Sequence, residues 1–240
     1  MFQHLSRRGA RILTVMAAAA LAVLIVAPAQ ATPSGTISSI VVSTSAHPPS
    51  TDLGSGDTPF SATNVGAVSA TIGTLGTFGC DGATAAGTLH AGSNLDPNPY
   101  LTFTSLDITN CASPAGVDVD VHLICDVTVT ADTGQTVDAD WIDTAVTGLM
   151  HAGASGSPCV QARDTNTGGS LCTLGVSGDT EADLDETTQE LGLSGSGLKV
   201  DGVTGLCALV SGLNGSTVTF NLDMALGLGN YPSDVINAIP

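Results

Sequence analysis

An all-β fold of antiparallel strands, arranged as a sandwich or a barrel and stapled by disulfides, is what this 240-residue sequence predicts. Three observations lead there. Short runs alternate apolar with polar residues at a period of two, and Gly, Ser, Asp and Asn separate them. Six cysteines, an even number, follow a segment that reads as an export signal. Helical periodicity is poor, and Gly and Thr are frequent where it is best.

The N-terminus comes first in chain order. Arg7, Arg8 and Arg11 precede an apolar run, 12–26, and an Ala-x-Ala step ends at Ala31. This is the three-part pattern of a secretory signal peptide, 1–31, cleaved after Ala31. The apolar run is shorter than the ~20 residues a spanning helix needs. Without residues 1–31 the chain keeps 209 residues and all 22 acids, but only two cations, Arg163 and Lys199, for a net charge of −20. Two cations against 22 acids cannot neutralise phosphates, so nucleic acid is excluded as a partner. Anionic lipid surfaces repel it, and no stable membrane insertion is expected after cleavage. The expected place is the medium or the cell wall. The 42% hydrophobic content against 11% charged residues argues for a packed core rather than disorder. That core is aliphatic, because one Trp, two Tyr and five Phe are all the aromatics available.

Residues 32–58 hold a first strand, 36–44, and a turn-rich connection, 47–58. Residues 59–240 form the β domain. Val68, Ala70 and Ile72 alternate with Ser69 and Thr71. In "YLTFTSLDITNC", Leu101 and Phe103 lie on one parity and Leu106 and Ile108 on the other. That switch at Thr104–Ser105 predicts a bulge. "VDVDVHLICDVTV", 117–129, reads as one half-buried strand, with Cys125 among valines on the buried face. Asp118, Asp120, His122 and Asp126 form its wetted face, where charges would also discourage edge-to-edge pairing. "ADWIDTAVTGLMHAG" has room for one or two helical turns. "STVTFNLDMAL" closes the series with Val218, Phe220, Leu222, Met224 and Leu226 on one face.

Two stretches suggest internal half-repeats. Each has a cysteine, a spacer with strands, a second cysteine followed by alanine, a Gly-containing turn, and an alternating strand ending in Leu. Cys80 to Cys111 spans 31 positions and Cys172 to Cys207 spans 35. The spacing favours Cys80–Cys111 and Cys172–Cys207, which leaves Cys125–Cys159. Cys159–Cys172 with Cys125–Cys207 is the open alternative. Metal ligation is disfavoured, since no Cys-x-x-Cys and no zinc-type spacing occurs.

The pattern "L-x-I-T-N-C" ending at Cys111, then "L-x-V-x-x-V-x-G-L-C-A-L-V" over 198–210 and a terminal alternating strand, resembles a group of uncharacterised exported actinobacterial proteins. These are Gly/Ser/Thr-rich, disulfide-containing β proteins. More distantly the chain is similar to secreted proteins labelled activators of alkane oxidation. The resemblance covers roughly residues 60–228. Those relatives usually lack counterparts of Cys125 and Cys159, and this chain lacks their "L-P-W" step. What the resemblance implies is an exported all-β protein; it transfers no functional residue.

Sites of chemistry are sparse. Asp179, Glu181, Asp183, Asp185 and Glu190 fall at positions 1, 3, 5, 7 and 12 of a calcium-loop pattern. Leu184 stands where that loop needs glycine, so a solvated hairpin tip is the expectation. Asp138, Asp140 and Asp143 form a weaker candidate that strand alternation explains. His90, His122 and His151 are far apart, and no G-x-S-x-G elbow accompanies them. No catalytic residue, metal or cofactor is therefore assigned, and an enzyme is not expected. The expected function is that of an exported structural or interaction module with an envelope or extracellular partner. Carriage of an apolar small molecule is the alternative and a hydrolase the remote one. A closed apolar cavity of drug size between the sheets would favour the carrier, and a fully packed core would count against it.

Overall fold

Among the described residues thirteen strands account for most of the chain, and every pairing between them is antiparallel. The computed structural model describes residues 39–43, 56–93, 99–112, 116, 118–132, 145–229 and 235–239. The signal-peptide expectation and its cleavage site, and Asp138, Asp140, Asp143 and Trp141, fall outside the described residues. Among those described, no helix is long and apolar enough to cross a membrane.

The N-terminal half comprises β1 (Ser39–Ser43), β2 (Gly56–Ile72), β3 (Gly76–Cys80), β4 (Gly82–Ser93), β5 (Leu101–Ala112), β6 (Asp118–Leu123) and β7 (Val127–Ala131). The remainder comprises β8 (Ala145–Ala152), β9 (Pro158–Asp164), β10 (Ser170–Asp185), β11 (Glu190–Val203), β12 (Thr217–Leu228) and β13 (Val235–Ile239). Two short 3-10 turns, Gly73–Leu75 and Gly205–Leu209, interrupt the strands.

The sheet closes on itself. Around one end the order is β2-β12-β11-β10-β8-β7-β5-β4 and back to β2. Around the other it is β2-β12-β11-β10-β9-β6-β5-β3 and back to β2. Both rings hold eight strands and share five of them. The shared strands β2, β5, β10, β11 and β12 run the length of the barrel. The other three staves are each broken at mid-height: β3/β4 at Asp81, β6/β7 at Ile124–Asp126, and β9/β8 at Gly153–Ser157. Of the two architectures the sequence allowed, the structure is a barrel rather than a sandwich.

Local chemistry explains the irregularities. In the β4–β5 ladder Ala86 pairs with Ser105 and Gly87 with Phe103, so Thr104 is the extra residue of a bulge. This is where the parity of the sequence switches. In β2 a second irregularity surrounds Gly66, whose φ of 78° suits glycine. There the Asn64 side chain accepts the Ala83 N–H at 2.9 Å, replacing a ladder bond. The stretch 117–129 is not one strand, as expected, but two. Ile124, the residue out of alternation, is exposed in the break, and its N–H donates to the Cys159 carbonyl. Residues 145–152, where helical turns were allowed, are strand β8.

Cys80–Cys111, Cys125–Cys159 and Cys172–Cys207 are bonded, the pairing favoured by the spacing. Cys80–Cys111 reinforces the weakest joint of the barrel, where β3 meets β5 through the single pair Gly79 and Ala112. The suspected half-repeats share a topology. β4-β5-β6 and β10-β11-β12 are three-strand meanders, and each disulfide closes the hairpin that begins its meander.

The closed end is capped and filled. β1 pairs with β13 and with the end of β4. The Gln189 side-chain amide receives the Ile236 N–H (2.6 Å) and donates to the Ile236 carbonyl (3.0 Å), imitating a strand partner for β13. Val42 and Ile236 are buried in the core. Above them lie Leu89, Leu101, Leu184, Leu191 and Met224, all fully buried. Phe60 and Phe103 pack edge to face at 5.3 Å between centroids. They meet over Gly87, where a Cβ would lie 2.7 Å from the Phe60 ring and 2.0 Å from the Thr102 carbonyl. Only glycine fits there.

Candidate ligand cavity

The interior is built mainly from apolar side chains, with Thr180 and Glu186 the buried polar residues among those described, and only the closed end is full. Toward the other end β2 contributes Ala70 and Ile72, β6 Val119 and Val121, and β9 Val160 and Ala162. β10 adds Leu174 and Val176, and β12 adds Val218 and Phe220. These residues surround a cavity of about 330 Å³. The cysteines of Cys80–Cys111 and Cys172–Cys207 also face it. A smaller void of about 40 Å³ adjoins it and shares Ile108, Val121, Val160, Val176 and Phe220.

Strand number and residue size together produce this space. Eight strands give a bore that side chains just fill, or that holds one small ligand. At the closed end Tyr100, Phe103 and the five leucine and methionine side chains named above are large enough to fill it. At the open end β2 and β9 stand opposite each other in the ring and present Ala70 and Ala162. Alanines on two opposite staves leave this part of the bore unfilled. Every lining side chain is Ala, Val, Leu, Ile, Phe or a disulfide cysteine, so no side chain offers a hydrogen bond to an occupant.

Both 3-10 turns lie at the mouth. Leu75 of the first, and Leu206 and Cys207 of the second, line the cavity, as does Val210 just beyond. Gly205, with φ 66°, lies so near Leu171 and Cys172 that a Cβ would meet the Leu171 carbonyl at 2.5 Å. Thr204 donates its N–H to the Thr173 carbonyl, and the Cys172–Cys207 bond fixes the turn one strand away. The second turn is thus leashed across the opening.

The outer face is polar. The acidic face of β6 points outward, as expected, but the barrel is closed there and β6 has no free edge. The suggested edge-protecting role of its charges does not apply. His122 pairs with Asp107 on β5, not with its neighbour Asp120. Asp120 instead accepts the N–H of Asn110 at 2.9 Å. Asp179, Glu181, Asp183 and Asp185 do not form a hairpin tip or a loop. They alternate with buried residues along β10, and the tip is 186–189. Glu190 begins β11, paired across from Asp185. A strand spaces such carboxylates along a line instead of wrapping them around an ion, and no metal-holding group occurs among the described residues.

Sequence reasoning missed a set of cross-strand histidines. His90 Nδ1 meets Asp57 Oδ1 at 2.7 Å and Nε2 meets the Thr102 hydroxyl at 3.0 Å. His151 repeats the arrangement with Asp179 (2.6 Å) and Thr130 (2.8 Å). Each imidazole bridges three neighbouring strands. The order carboxylate, imidazole, hydroxyl is that of a nucleophilic triad. However, the threonines lie in ladders, Thr102 on β5 between β4 and β7, and Thr130 on β7 paired with Leu149 of β8. Backbone N–H groups engaged in ladders do not converge on an oxyanion. These chains staple strands. No local signal could have found them, because the partners are 33 and 28 residues apart.

Charge perturbation is also confined to the outside and the far end. Hydrogen bonds from Thr167 and Asn166 hold Asp164 below the usual carboxylate range at the β9–β10 turn. The Ser177 hydroxyl does the same for Asp201. Partial desolvation, then Glu181 and Asp132, push Asp183 up. Burial pushes the Tyr100 hydroxyl up, away from the cavity. None of these groups lines the cavity. Compared with known protein families, with curated proteins and with solved structures, the chain matches none.

Proposed function

We propose that this protein is an exported, non-enzymatic carrier that holds one apolar small molecule inside its barrel. The observation that carries the proposal is the cavity of about 330 Å³, whose lining side chains are all apolar. Its size reaches the ~300–1,000 Å³ of small-molecule sites. It is about twice the ~150 Å³ of an apolar cavity that stays dry and binds benzene. An occupant of about ten carbons fits that space. Hydrophobic transfer alone would hold it, at ~25 cal/mol per Å² of apolar surface removed from water. The resemblance to secreted proteins labelled activators of alkane oxidation points the same way. Export is supported by the signal-like N-terminus and by three disulfides, which persist in oxidising compartments. The outside of the barrel is acidic and the inside apolar, the reverse of a barrel that spans a membrane.

The test is titration with naphthalene, followed by its own fluorescence and by calorimetry. Saturable one-to-one binding with a negative heat-capacity change is expected. No saturable binding of naphthalene, or binding unchanged when Ala162→Phe fills the cavity, would refute the carrier.

A further inference from the structure

The cavity mouth carries an apolar lip that the ligand-binding role leaves unexplained. Leu206 is 60% exposed, Leu209 83% and Val210 37%, three of the five large hydrophobics exposed among the described residues. They sit together on the second 3-10 turn and just after it. Leu206 and Val210 reach from the surface into the cavity, so the lip and the lining are one continuous apolar surface. Leu209 is not among the lining residues of the cavity or of the smaller void.

Charge is distributed to match. The chain bears 22 acids, yet none falls between Asp201 and Asp223, nor between Asp57 and Asp81. No lysine or arginine falls there either. These two uncharged stretches are adjacent in space. β12 pairs with β2 up to Val218 and Ile72, and Gly73 of the first turn abuts Ser216. Together they build one side of the mouth, an uncharged arc on an otherwise acidic molecule.

Resting on the carrier reading, we propose that this lip docks the open end on an uncharged or zwitterionic lipid surface, so that the ligand passes between that surface and the cavity without crossing water. An occupant matched to a lining without polar side chains is poorly soluble, so its source is an apolar phase. It must pass the lip to enter. A second copy of the chain is the poorer occupant. Three aliphatic side chains fall short of the ~800 Å² per partner of a stable protein interface. A mouth-to-mouth pair would also seal both cavities against exchange. Anionic lipid is excluded by the acidic charge that surrounds the arc.

The experiment is flotation of the mature protein with phosphatidylcholine vesicles, alone and with increasing phosphatidylglycerol. Flotation is expected with phosphatidylcholine and should fall as phosphatidylglycerol rises. Leu209→Asp should lower the partition coefficient about tenfold or more, since one buried leucine side chain is lost and a charge gained. Because Leu209 is exposed and lines neither the cavity nor the smaller void, naphthalene binding in vesicle-free buffer should be unchanged in this variant. That solution measurement separates the two claims. Naphthalene binding without flotation overturns the docking proposal alone. Flotation that survives Leu209→Asp, or a dimer that Leu209→Asp dissociates, overturns it as well.

Discussion

Replacing Ala70 and Ala162 with leucine should make this protein more stable and a poorer binder. Each substitution adds three carbons to a wall of the cavity. At ~0.8 kcal/mol per buried CH₂ the transfer contributes about 2.4 kcal/mol. Fixing a leucine rotamer costs about 0.5–1 kcal/mol of it. About 1.5–2 kcal/mol of stabilisation remains for each site. For a domain of this length, 1 kcal/mol moves Tm by ~2–4 °C, so each variant should melt about 3–8 °C higher. The two residues stand on opposite staves, and the double variant should lose at least tenfold in naphthalene affinity. Calorimetry and urea unfolding measure the first effect, and titration the second. The sign is what matters. In a core already packed, an added side chain forces neighbours off their rotamers and costs about 1–3 kcal/mol. Destabilisation in both single variants would mean that the bore is full and that the reasoning from Ala70 and Ala162 is wrong.

Three further outcomes follow from other parts of the barrel. Cys80→Ser with Cys111→Ser should lower stability by about 3–4 kcal/mol in the chain-entropy account of a loop of this length, read by urea unfolding under non-reducing conditions. Gln189→Ala should free β13 from the 186–189 turn, at a cost of about 1–3 kcal/mol for the lost pair of hydrogen bonds, and hydrogen exchange at Ile236 should accelerate before the rest of the barrel. Asp183→Asn should raise Tm at pH 7, by no more than the ~0.5 kcal/mol typical of surface changes. Asp183 has its carboxyl pushed up, so its ionised form costs stability above the folded pKa, and the cost is absent below the ordinary value near 3.9. The difference between wild type and Asp183→Asn should therefore vanish below about pH 3.5. A gain that persists there would assign it to something other than charge.

Local patterns in the sequence revealed local structure. The parity switch at Thr104–Ser105 is the bulge, because period-two alternation cannot change phase without an extra residue. Ile124, the one apolar residue on the polar parity of its stretch, marks the break between β6 and β7. Closure was not legible. Whether strands make a sandwich or a barrel depends on β2 meeting β12 and on β3 meeting β5, and nothing in either strand announces its distant neighbour. The cavity was hidden for the same reason. Ala70 and Ala162 are ordinary alanines until the ring sets them on opposite walls of one cavity. The run 179–190 illustrates the opposite error. Its spacing of two fits both calcium ligands and the outer face of a strand, and spacing alone does not separate them.

The seam between β2 and β12 also governs when this protein can exist as a barrel. Ile72 pairs with Val218 and Phe60 with Leu228, so one of the first strands waits for one of the last. Before the chain reaches Leu228 there is no second side to the seam, and β2 has one unpaired edge. A nascent chain can build the hairpins of β4-β5 and β10-β11, whose partners are close in sequence, but it cannot enclose a lumen. Contacts this far apart form slowly, because the intervening chain must be gathered first. Closure of the ring therefore waits on the pairing of β2 with β12. Until then the polypeptide remains threadable, and the hydrophobic bore has no inside in which to trap anything.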